Sequence, residues 1–340
     1  MMKKITRLLV LCLTITANAQ DFNDVFVAGV ADAQRFAEGY LSPASEAAIY
    51  SISNGWYNSA DAKPLGGFEI SVIGNMTSFK NKNDKKAFLF NEADYTNLQL
   101  VGGSDARNDE ASVATALGDI SGVRVFVEDD TGFFREEFEL PSGLSAEDFN
   151  FIPSAYVQVS VGLVKGLEVK ARFLPNINFD EDAKFGLLGG GLQYDFTKLL
   201  PADKILPVAI SAVVGYTNLN GEYDFTDSGI IAGSDQRIDV NFNTWNFSAV
   251  VSTRKIPVIN FYGGIGYITG KSQIDFLGTY EANGPFFTTS VNDPISISDN
   301  FGSVSANIGT KIKLGFFRIN AEYNISEFST ATVGVNFGFR

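Results

Sequence analysis

The sequence predicts an all-β protein, an antiparallel transmembrane β-barrel preceded by a short N-terminal α-helical plug. Three observations lead to this prediction. The chain starts like an export signal, apolar and polar residues alternate from residue 66 onward, and long connections alternate with short ones. Alternation with period two is the pattern of strands with one buried face, and unequal connections are typical of bacterial outer-membrane barrels.

The N-terminus has the three parts of a secretory signal peptide. A basic stretch over residues 1–7 is followed by an apolar run over residues 8–15 and by Ala-Asn-Ala at residues 17–19. We therefore predict that residues 1–19 are a signal peptide cleaved after Ala19, which sends the protein towards the cell outer membrane.

Composition excludes several classes of function. The chain of 340 residues has a net charge of -13, no histidine and a single cysteine, Cys12, which lies inside the predicted signal peptide. The mature protein is therefore expected to have no disulfide, no metal site built from cysteine or histidine, and no cofactor. Its acidity argues against nucleic acid as a partner. No apolar run after the signal reaches the length of a membrane helix, so only a closed barrel could span the bilayer.

The strands are predicted from segments of about ten alternating residues, the length that a tilted strand needs to cross a bilayer. The pattern predicts twelve of them, over residues 67–79, 121–129, 132–140, 154–164, 166–175, 185–197, 206–219, 238–254, 256–270, 302–314, 316–325 and 331–339. Residues 81–120 could supply another pair, which makes fourteen strands the alternative. The longer connections are expected at residues 80–120, 141–153, 176–184, 220–237 and 271–301.

The last predicted strand alternates almost to the end of the chain. Residues 331–339 end on Phe337-Gly338-Phe339, and Arg340 follows. This resembles the C-terminal signal by which outer-membrane barrels are recognised for assembly, although Arg340 displaces the aromatic residue from the last position. The barrel assembly machinery and outer-membrane lipid are therefore expected partners.

The segment before the barrel, residues 20–66, has a helical period instead. Its apolar residues recur at steps of three and four, and the candidates for the plug face are Phe22, Phe26, Val30, Phe36 and Tyr40. Leu41-Ser42-Pro43 is expected to end this helix, and residues 44–53 could add a second turn or two. It could lie in the membrane interface or plug the periplasmic mouth of the barrel. Interfacial helices are usually rich in Lys and Arg, whereas this polar face is mainly acidic, which favours the plug.

If the apolar face of the strands meets lipid, the opposite face fills the lumen. The candidate lumen-lining residues are Glu168, Lys170, Arg172, Lys311, Lys313, Arg318 and Glu322. Two interpretations remain open. The charges could form salt bridges that rigidify a narrow or blocked barrel, or the basic groups could line a polar path that favours anions.

Several short motifs resemble known families. The stretches Tyr40-Leu41-Ser42-Pro43, Gly55-Trp56-Tyr57-Asn58 and Leu65-Gly66-Gly67-Phe68 resemble, over the whole chain, an uncharacterised domain family of outer-membrane barrels from Bacteroidota. In addition, Trp56-Tyr57-Asn58-Ser59-Ala60 is similar to the Asn-Pro-Ala motif of the long-chain fatty acid transporter family, with Ser59 where proline is expected. That second resemblance implies a helical hatch inside the barrel and a hydrophobic substrate.

The predicted function is passive or gated uptake of a small molecule, hydrophobic by the fatty acid transporter resemblance. We do not expect an enzyme, because the outer-membrane enzymes that share this architecture need a catalytic histidine and this chain has none. No catalytic residue and no metal ligand is therefore assigned. The alternative is a closed outer-membrane barrel that serves structure, adhesion or partner docking without transport.

Overall fold

The computed structural model describes residues 25–103, 109–128, 135–180, 183–201, 206–224, 231–254, 256–282 and 290–339. The predicted signal peptide, its cleavage site after Ala19, the plug candidate Phe22 and the terminal Arg340 lie outside these residues.

The protein forms a closed antiparallel β-barrel of ten strands, each paired with its neighbours along the chain. The first and last strands close the wall, from the pair Phe68–Phe339 to the pair Ser78–Ser329. The wall strands are β1 (Phe68–Ser78), β2 (Phe151–Val164), β3 (Leu167–Asp180), β4 (Ala183–Asp195), β5 (Val208–Asp224), β6 (Ile231–Thr253), β7 (Ile259–Ala282), β8 (Ile295–Leu314), β9 (Phe317–Ile325) and β10 (Ser329–Phe339). One short strand, Val291–Asn292, pairs with β7 outside the wall.

The prediction of twelve wall strands is wrong, and so is the alternative of fourteen. The predicted strands at 121–129 and 132–140 are the short strands Arg124–Glu128 and Arg135–Glu139 of a separate three-stranded sheet. Five residues are too few to cross a bilayer, which takes about 9–11. Alternation alone could not reveal this, because a small sheet with one buried face has the same period.

Both small sheets lie in the insertion, the connection over residues 79–150 between β1 and β2. The second sheet pairs Ala87–Asn91 with Glu110–Ala114, inside the range that suggested a further wall pair. Its apolar residues join a core that also contains the N-terminal half of the helix described below. The insertion therefore covers one end of the barrel instead of widening the wall.

Several strands are longer than predicted at the end that carries the insertion. β6 has 23 residues and β7 has 24, so much of the expected connections at 220–237 and 271–301 is strand. The reason is that the pattern inverts along these strands. Near the insertion, Leu219, Phe242 and Ile274 are buried in the core. A prediction that follows one apolar face along a strand stops at such an inversion.

The rest of the wall has an apolar exterior and a polar interior. On β1, Phe68, Ile70 and Val72 are exposed, whereas Glu69 and Ser71 are buried. The same arrangement continues around the barrel, where the exposed apolar residues include Leu188, Leu192, Ile210, Phe247, Ile265, Val304, Ile308, Ile319, Val333 and Phe337. This is the pattern of barrels that face lipid and the reverse of a water-soluble sandwich.

The α-helix of the described residues, α1 (Val30–Ser53), lies inside the barrel and follows a short 3₁₀ turn, Val25–Ala28. It packs against β1, β2 and β5 to β8. The prediction that the helix ends at Leu41-Ser42-Pro43 is wrong, because α1 continues through Pro43. Proline costs a helix interior about 3 kcal/mol, but the flanking residues Leu41 and Ser45 are buried against the rest of the protein. Within the described ranges, no helix is long and apolar enough to cross a membrane.

Candidate functional site

The lumen segment, residues 54–66, runs from the end of α1 through the barrel to the start of β1. Wall side chains bind its backbone along the way. The Tyr156 hydroxyl on β2 donates to the Asn54 carbonyl, and Gln193 Nε2 on β4 donates to the Ser59 carbonyl at 2.9 Å. Ser59 Oγ also lies 3.2 Å from Ser252 Oγ on β6. The segment is thus tied to opposite sides of the wall.

Trp56 occupies a notch in the wall that two glycines leave open. Gly191 on β4 and Gly215 on β5 face each other in register. A Cβ atom at Gly191 would lie 2.7 Å from the indole, and one at Gly215 would overlap it. On the other side, the Arg172 guanidinium carbon lies 3.5 Å from the centre of the Trp56 ring and 4.3 Å from that of Tyr156. The indole is therefore held between the glycine notch and a buried cation, a favourable cation–π arrangement.

Arg172 also fixes the end of the helix. It is fully buried, and its Nη1 donates to the Ile52 carbonyl at 2.9 Å, which satisfies an acceptor in the last turn of α1. Its Nη2 donates to Gln158 Oε1 at 3.0 Å. A cation at a helix C-terminus interacts favourably with the helix dipole. The residue therefore joins the wall to the plug.

Between Trp56 and the short turns of the barrel lies a buried ion cluster. It consists of Lys63, Glu69, Glu168, Lys170, Lys311 and Arg318. Glu168 Oε1 lies 2.9 Å from Lys63 Nζ and 2.6 Å from Lys170 Nζ. Glu69 Oε2 lies 3.2 Å from Lys311 Nζ and 2.5 Å from Arg318 Nη1. Asn58 of the lumen segment completes the cluster: its Nδ2 donates to Glu69 Oε1 at 2.9 Å, and its Oδ1 accepts from Lys311 at 2.7 Å.

A second group of charges lies near the short turns. Arg254 Nη2 lies 2.6 Å from Asp195 Oδ2 and 3.1 Å from Asp61 Oδ1, and Lys198 Nζ lies 2.9 Å from the same Asp61 oxygen. Asp61 belongs to the lumen segment, whereas Arg254 and Lys198 follow wall strands. The segment is thus held by ion pairs at this end of the barrel.

The structure brings most of the predicted lumen residues together. Glu168, Lys170, Lys311 and Arg318 belong to the buried ion cluster, and Arg172 lies next to Trp56. Glu322 is 6% exposed and lies in a small polar cavity beside Asn307 and Asn324. It has no cationic partner within the described ranges. Lys313 is partly exposed near the end of β8 and forms no ion pair with a described residue.

The predicted plug face lies nearer to the insertion than expected. Phe26 stacks on Tyr280 with ring centres 5.1 Å apart, and Phe36 stacks on Tyr40 at 5.7 Å. Phe26, Phe36 and Tyr40 are buried between the long strands and the insertion, and Val30 is partly exposed. They lie at the end of the barrel away from the short turns. The lumen segment, and not this helical face, reaches the end at which the sequence placed the plug.

The sequence did not identify the partners that the lumen segment supplies. Lys63 and Asp61 are charged residues in a stretch expected inside a barrel, which was a usable signal, because buried charges need partners. Trp56 and the inward glycines Gly191 and Gly215 gave a weaker signal, since glycine in a strand often marks a close approach. Which glycine faces which side chain depends on the fold.

An apolar cavity lies between α1 and the wall, on the side of the lumen segment that faces the insertion. Its volume is about 70 Å³. The helix contributes one face, from Tyr40 to Ile52, and the wall contributes apolar side chains from β2 and β4 to β7, among them Ile152, Phe185, Leu219, Val240, Phe242 and Ile274. Ligand cavities in proteins typically measure about 300–1,000 Å³. The cavity of this closed form is below that range, so a ligand of ordinary size fits only if α1 or the insertion moves.

Comparison with solved structures finds other β-barrels. The attachment invasion locus protein Ail of Yersinia pestis is 12% identical and aligns over 81% of this chain and 100% of its own, with a TM-score of 0.25. The translocator domain of the autotransporter NalP from Neisseria meningitidis is 9% identical over 89% and 99%, with a TM-score of 0.33. The outer-membrane protease OmpT from Escherichia coli is 8% identical over 83% and 100%, with a TM-score of 0.29. Scores this low carry no information on function.

No curated protein sequence matches the chain. One family model does, over residues 2–339. The match spans the predicted signal, the helix and all ten wall strands. The chain therefore belongs to the family of unknown function DUF6588.

Proposed function

We propose that the protein is an outer-membrane barrel whose own N-terminal segment closes the lumen, and that it takes up a small hydrophobic molecule when this segment moves. The observation that carries the proposal is the apolar cavity between α1 and the wall, which lies directly above the closed part of the lumen.

The apolar exterior supports the membrane location. Barrel strands that face lipid present apolar side chains outward in an otherwise polar chain. A water-soluble barrel with Phe68, Ile265, Val304 and Ile308 exposed would have a large adhesive surface. The predicted signal over residues 1–19 and the C-terminal strand agree with export and assembly in the outer membrane.

The contacts of the lumen segment support gating rather than an open pore. Its side chains and backbone bind residues on β1 to β6, β8 and β10, including Glu69, Tyr156, Glu168, Gln193 and Ser252. A solute can pass only if these contacts break. The resemblance to the hatch of the long-chain fatty acid transporter family points the same way.

A closed docking barrel is the second candidate, and one observation favours it. The insertion forms two small sheets above the barrel, packed on α1, which is more folded structure than a pore mouth needs. Such a cap could bind a partner outside the cell while the buried ion cluster keeps the barrel shut.

Single-channel conductance in planar bilayers separates the two candidates. The intact protein and a form lacking residues 20–66 are compared, each shown to be folded by heat-modifiable gel mobility. Uptake predicts rare or small currents from the intact protein and steady currents from the shortened form. No current from either folded form, together with no uptake of apolar solutes into liposomes, would leave the docking barrel.

A further inference from the structure

A small polar cavity lies between the lumen segment and strands β6 to β9. Residues 54–57 of the lumen segment form one side of it. Side chains of the wall form the other side, among them Asn246, Ser248, Ser305, Asn307, Glu322 and Asn324. Its volume is about 10 Å³, and a single water molecule needs about 10–15 Å³. The space therefore suits one water molecule or one ion of similar size.

Glu322 is the charged residue of this lining, and it is 6% exposed. Asn307, Asn324 and Tyr262 lie next to its carboxylate. Even so, Glu322 Oε2 has no hydrogen-bond partner among the described residues. One oxygen of a buried carboxylate is thus left free at the cavity.

The nearby cations do not neutralise Glu322. Lys311 and Arg318, on the same two strands, both pair with Glu69 instead. Within the part of the chain that the structure describes, no Lys or Arg forms an ion pair with Glu322. Because a buried charge without a counter-charge is costly, this carboxylate calls for a proton or a cation.

The rest of the lining supplies oxygen atoms of the kind that hard cations bind. Asn307 Oδ1 accepts a hydrogen bond from the Tyr57 hydroxyl at 3.0 Å, and Asn246 Oδ1 accepts one from Ser248 Oγ at 2.6 Å. An amide oxygen has two lone pairs, so each of these two can still bind an ion.

Two glycines of β7 leave room beside these oxygens. A Cβ atom at Gly264 would lie 2.7 Å from the Tyr57 hydroxyl and 3.1 Å from Asn307 Oδ1. A Cβ atom at Gly266 would lie 2.7 Å from Ser248 Oγ. Glycine in a strand often marks a close approach of this kind. A side chain at either position would crowd the cavity.

We infer that this cavity binds a single Na⁺ ion, with Glu322 as its one charged ligand. The ion supplies the counter-charge that the described residues do not provide. One carboxylate balances a monovalent cation, whereas Ca²⁺ takes roughly 6–8 oxygen ligands and Mg²⁺ gives up its water reluctantly. A volume close to that of one water molecule favours Na⁺ over the larger K⁺.

Such an ion joins the wall to the lumen segment, because Tyr57 of the segment and Asn307 of the wall share the cavity with Glu322. It should therefore stabilise the closed form. The inference does not depend on uptake, since the same ion would stabilise a docking barrel.

The first test is binding of ²²Na⁺ to the full mature protein in dodecyl maltoside micelles, measured by scintillation proximity. Excess choline chloride screens the general attraction of cations to this acidic chain. We expect saturable binding of one Na⁺ per barrel at neutral and at alkaline pH. Glu322→Gln should abolish it. Glu327→Gln removes a partly exposed carboxylate in the turn after β9 and should leave it unchanged.

A third variant changes the preferred ion. Asn307→Asp adds a second carboxylate to the lining and should shift binding towards Ca²⁺, because the number of charged ligands tunes affinity for this ion. Competition by CaCl₂ against ²²Na⁺ measures the shift. In the unmodified protein, CaCl₂ should compete less well than NaCl. If Glu322→Gln does not fold, Asn307→Asp still tests the site.

Urea unfolding gives a second readout. A ligand that binds only the folded state raises the unfolding midpoint. We expect a higher midpoint in NaCl than in choline chloride at equal ionic strength. The difference should disappear in Glu322→Gln and remain in Glu327→Gln.

The absence of saturable ²²Na⁺ binding by the folded barrel at both pH values would overturn the inference and mean that a proton neutralises Glu322. Unchanged binding by Glu322→Gln, or tighter binding of Ca²⁺ by the unmodified protein, would overturn it as well. These results leave the proposed uptake untouched, because conductance and solute uptake test it separately.

Discussion

At the scale of single residues, the position of the Trp56 indole depends on two wall residues that have no side chain, Gly191 and Gly215. Gly191→Leu should push the indole out of its notch, because even a Cβ atom there comes within 2.7 Å of it. Overpacking of this kind costs about 1–3 kcal/mol. The expected result is a lower unfolding midpoint in urea and more frequent current steps in a planar bilayer.

Gly190→Leu is the matched control for this prediction. Gly190 is the neighbouring residue on the same strand, and a Cβ atom there would meet nothing within 4 Å. Its variant should behave like the unmodified barrel. Equal effects of the two leucines would mean that the notch does not hold Trp56.

The buried ion cluster gives a second prediction at this scale. Glu69 is 1% exposed and contacts Lys311, Arg318 and Asn58, so Glu69→Gln leaves the buried Lys311 and the partly buried Arg318 without their carboxylate. Removing one partner of a buried pair costs about 3–5 kcal/mol. Urea unfolding of the refolded barrel measures this loss.

The control is Glu327→Gln, which breaks a partly exposed pair. Glu327 lies 2.8 Å from Lys82 Nζ, and both side chains are about one third exposed. Exposed pairs contribute about 0–1 kcal/mol. A loss at Glu69 no larger than that at Glu327 would show that the cluster does not stabilise the closed state.

Strand alternation predicted which face of the wall many side chains occupy. It predicted that five charged residues point away from the apolar outer face, namely Glu168, Lys170, Arg172, Lys311 and Arg318. The partners could not be predicted. They come from the lumen segment, whose position depends on the helix before it and not on a strand register. Alternation gives the face of a residue but not the contacts on that face.

At the scale of elements, Asp32 of α1 joins the helix to the insertion. Its carboxylate accepts from three backbone N–H groups, those of Thr96 at 2.8 Å, Asn97 at 2.7 Å and Leu98 at 3.0 Å. Asp32→Ala should release residues 96–98 of the insertion, because Leu98 is buried and a buried N–H group without a partner costs about 1–3 kcal/mol. Hydrogen exchange followed by mass spectrometry should show faster exchange over residues 96–98.

Glu38→Ala serves as the comparison. Glu38 lies on the same helix but is exposed. Within the described part of the chain, its carboxylate accepts a hydrogen bond only from Gln34. Exchange over residues 96–98 should stay slow in this variant. Unchanged exchange in Asp32→Ala would mean that other contacts hold the insertion.

Element boundaries show where sequence reasoning succeeds and fails. Wall strands with a uniform apolar face, such as residues 316–325 and 331–339, were predicted within a few residues of β9 and β10. Strands whose pattern inverts were cut short, and the short strands of the insertion were counted as wall. Both errors follow from reading alternation without knowing what covers each face.

In the whole molecule, we expect the N-terminal segment, which ends in the lumen segment, to move inside a wall that stays rigid. The wall is closed by continuous backbone pairing, whereas the segment is held by side chains alone over most of its length. Movement of the segment therefore leaves the barrel intact. A crosslink between the two parts separates movement of the segment from any change in the wall.

The most direct test is a reversible lock. The only cysteine of the chain is Cys12, so new pairs form without competition once the predicted signal is removed. Ser59→Cys with Ser252→Cys joins the lumen segment to β6, where the hydroxyls lie 3.2 Å apart. Thr77→Cys with Thr330→Cys joins β1 to β10, at 2.8 Å, and serves as the wall control.

Uptake of a small apolar solute into liposomes is measured for both double variants before and after reduction. We expect that the oxidised Ser59–Ser252 pair stops uptake, that reduction restores it, and that the oxidised wall pair has no effect. Undiminished uptake through a barrel whose segment is shown to be crosslinked would contradict the claim that the lumen segment must move.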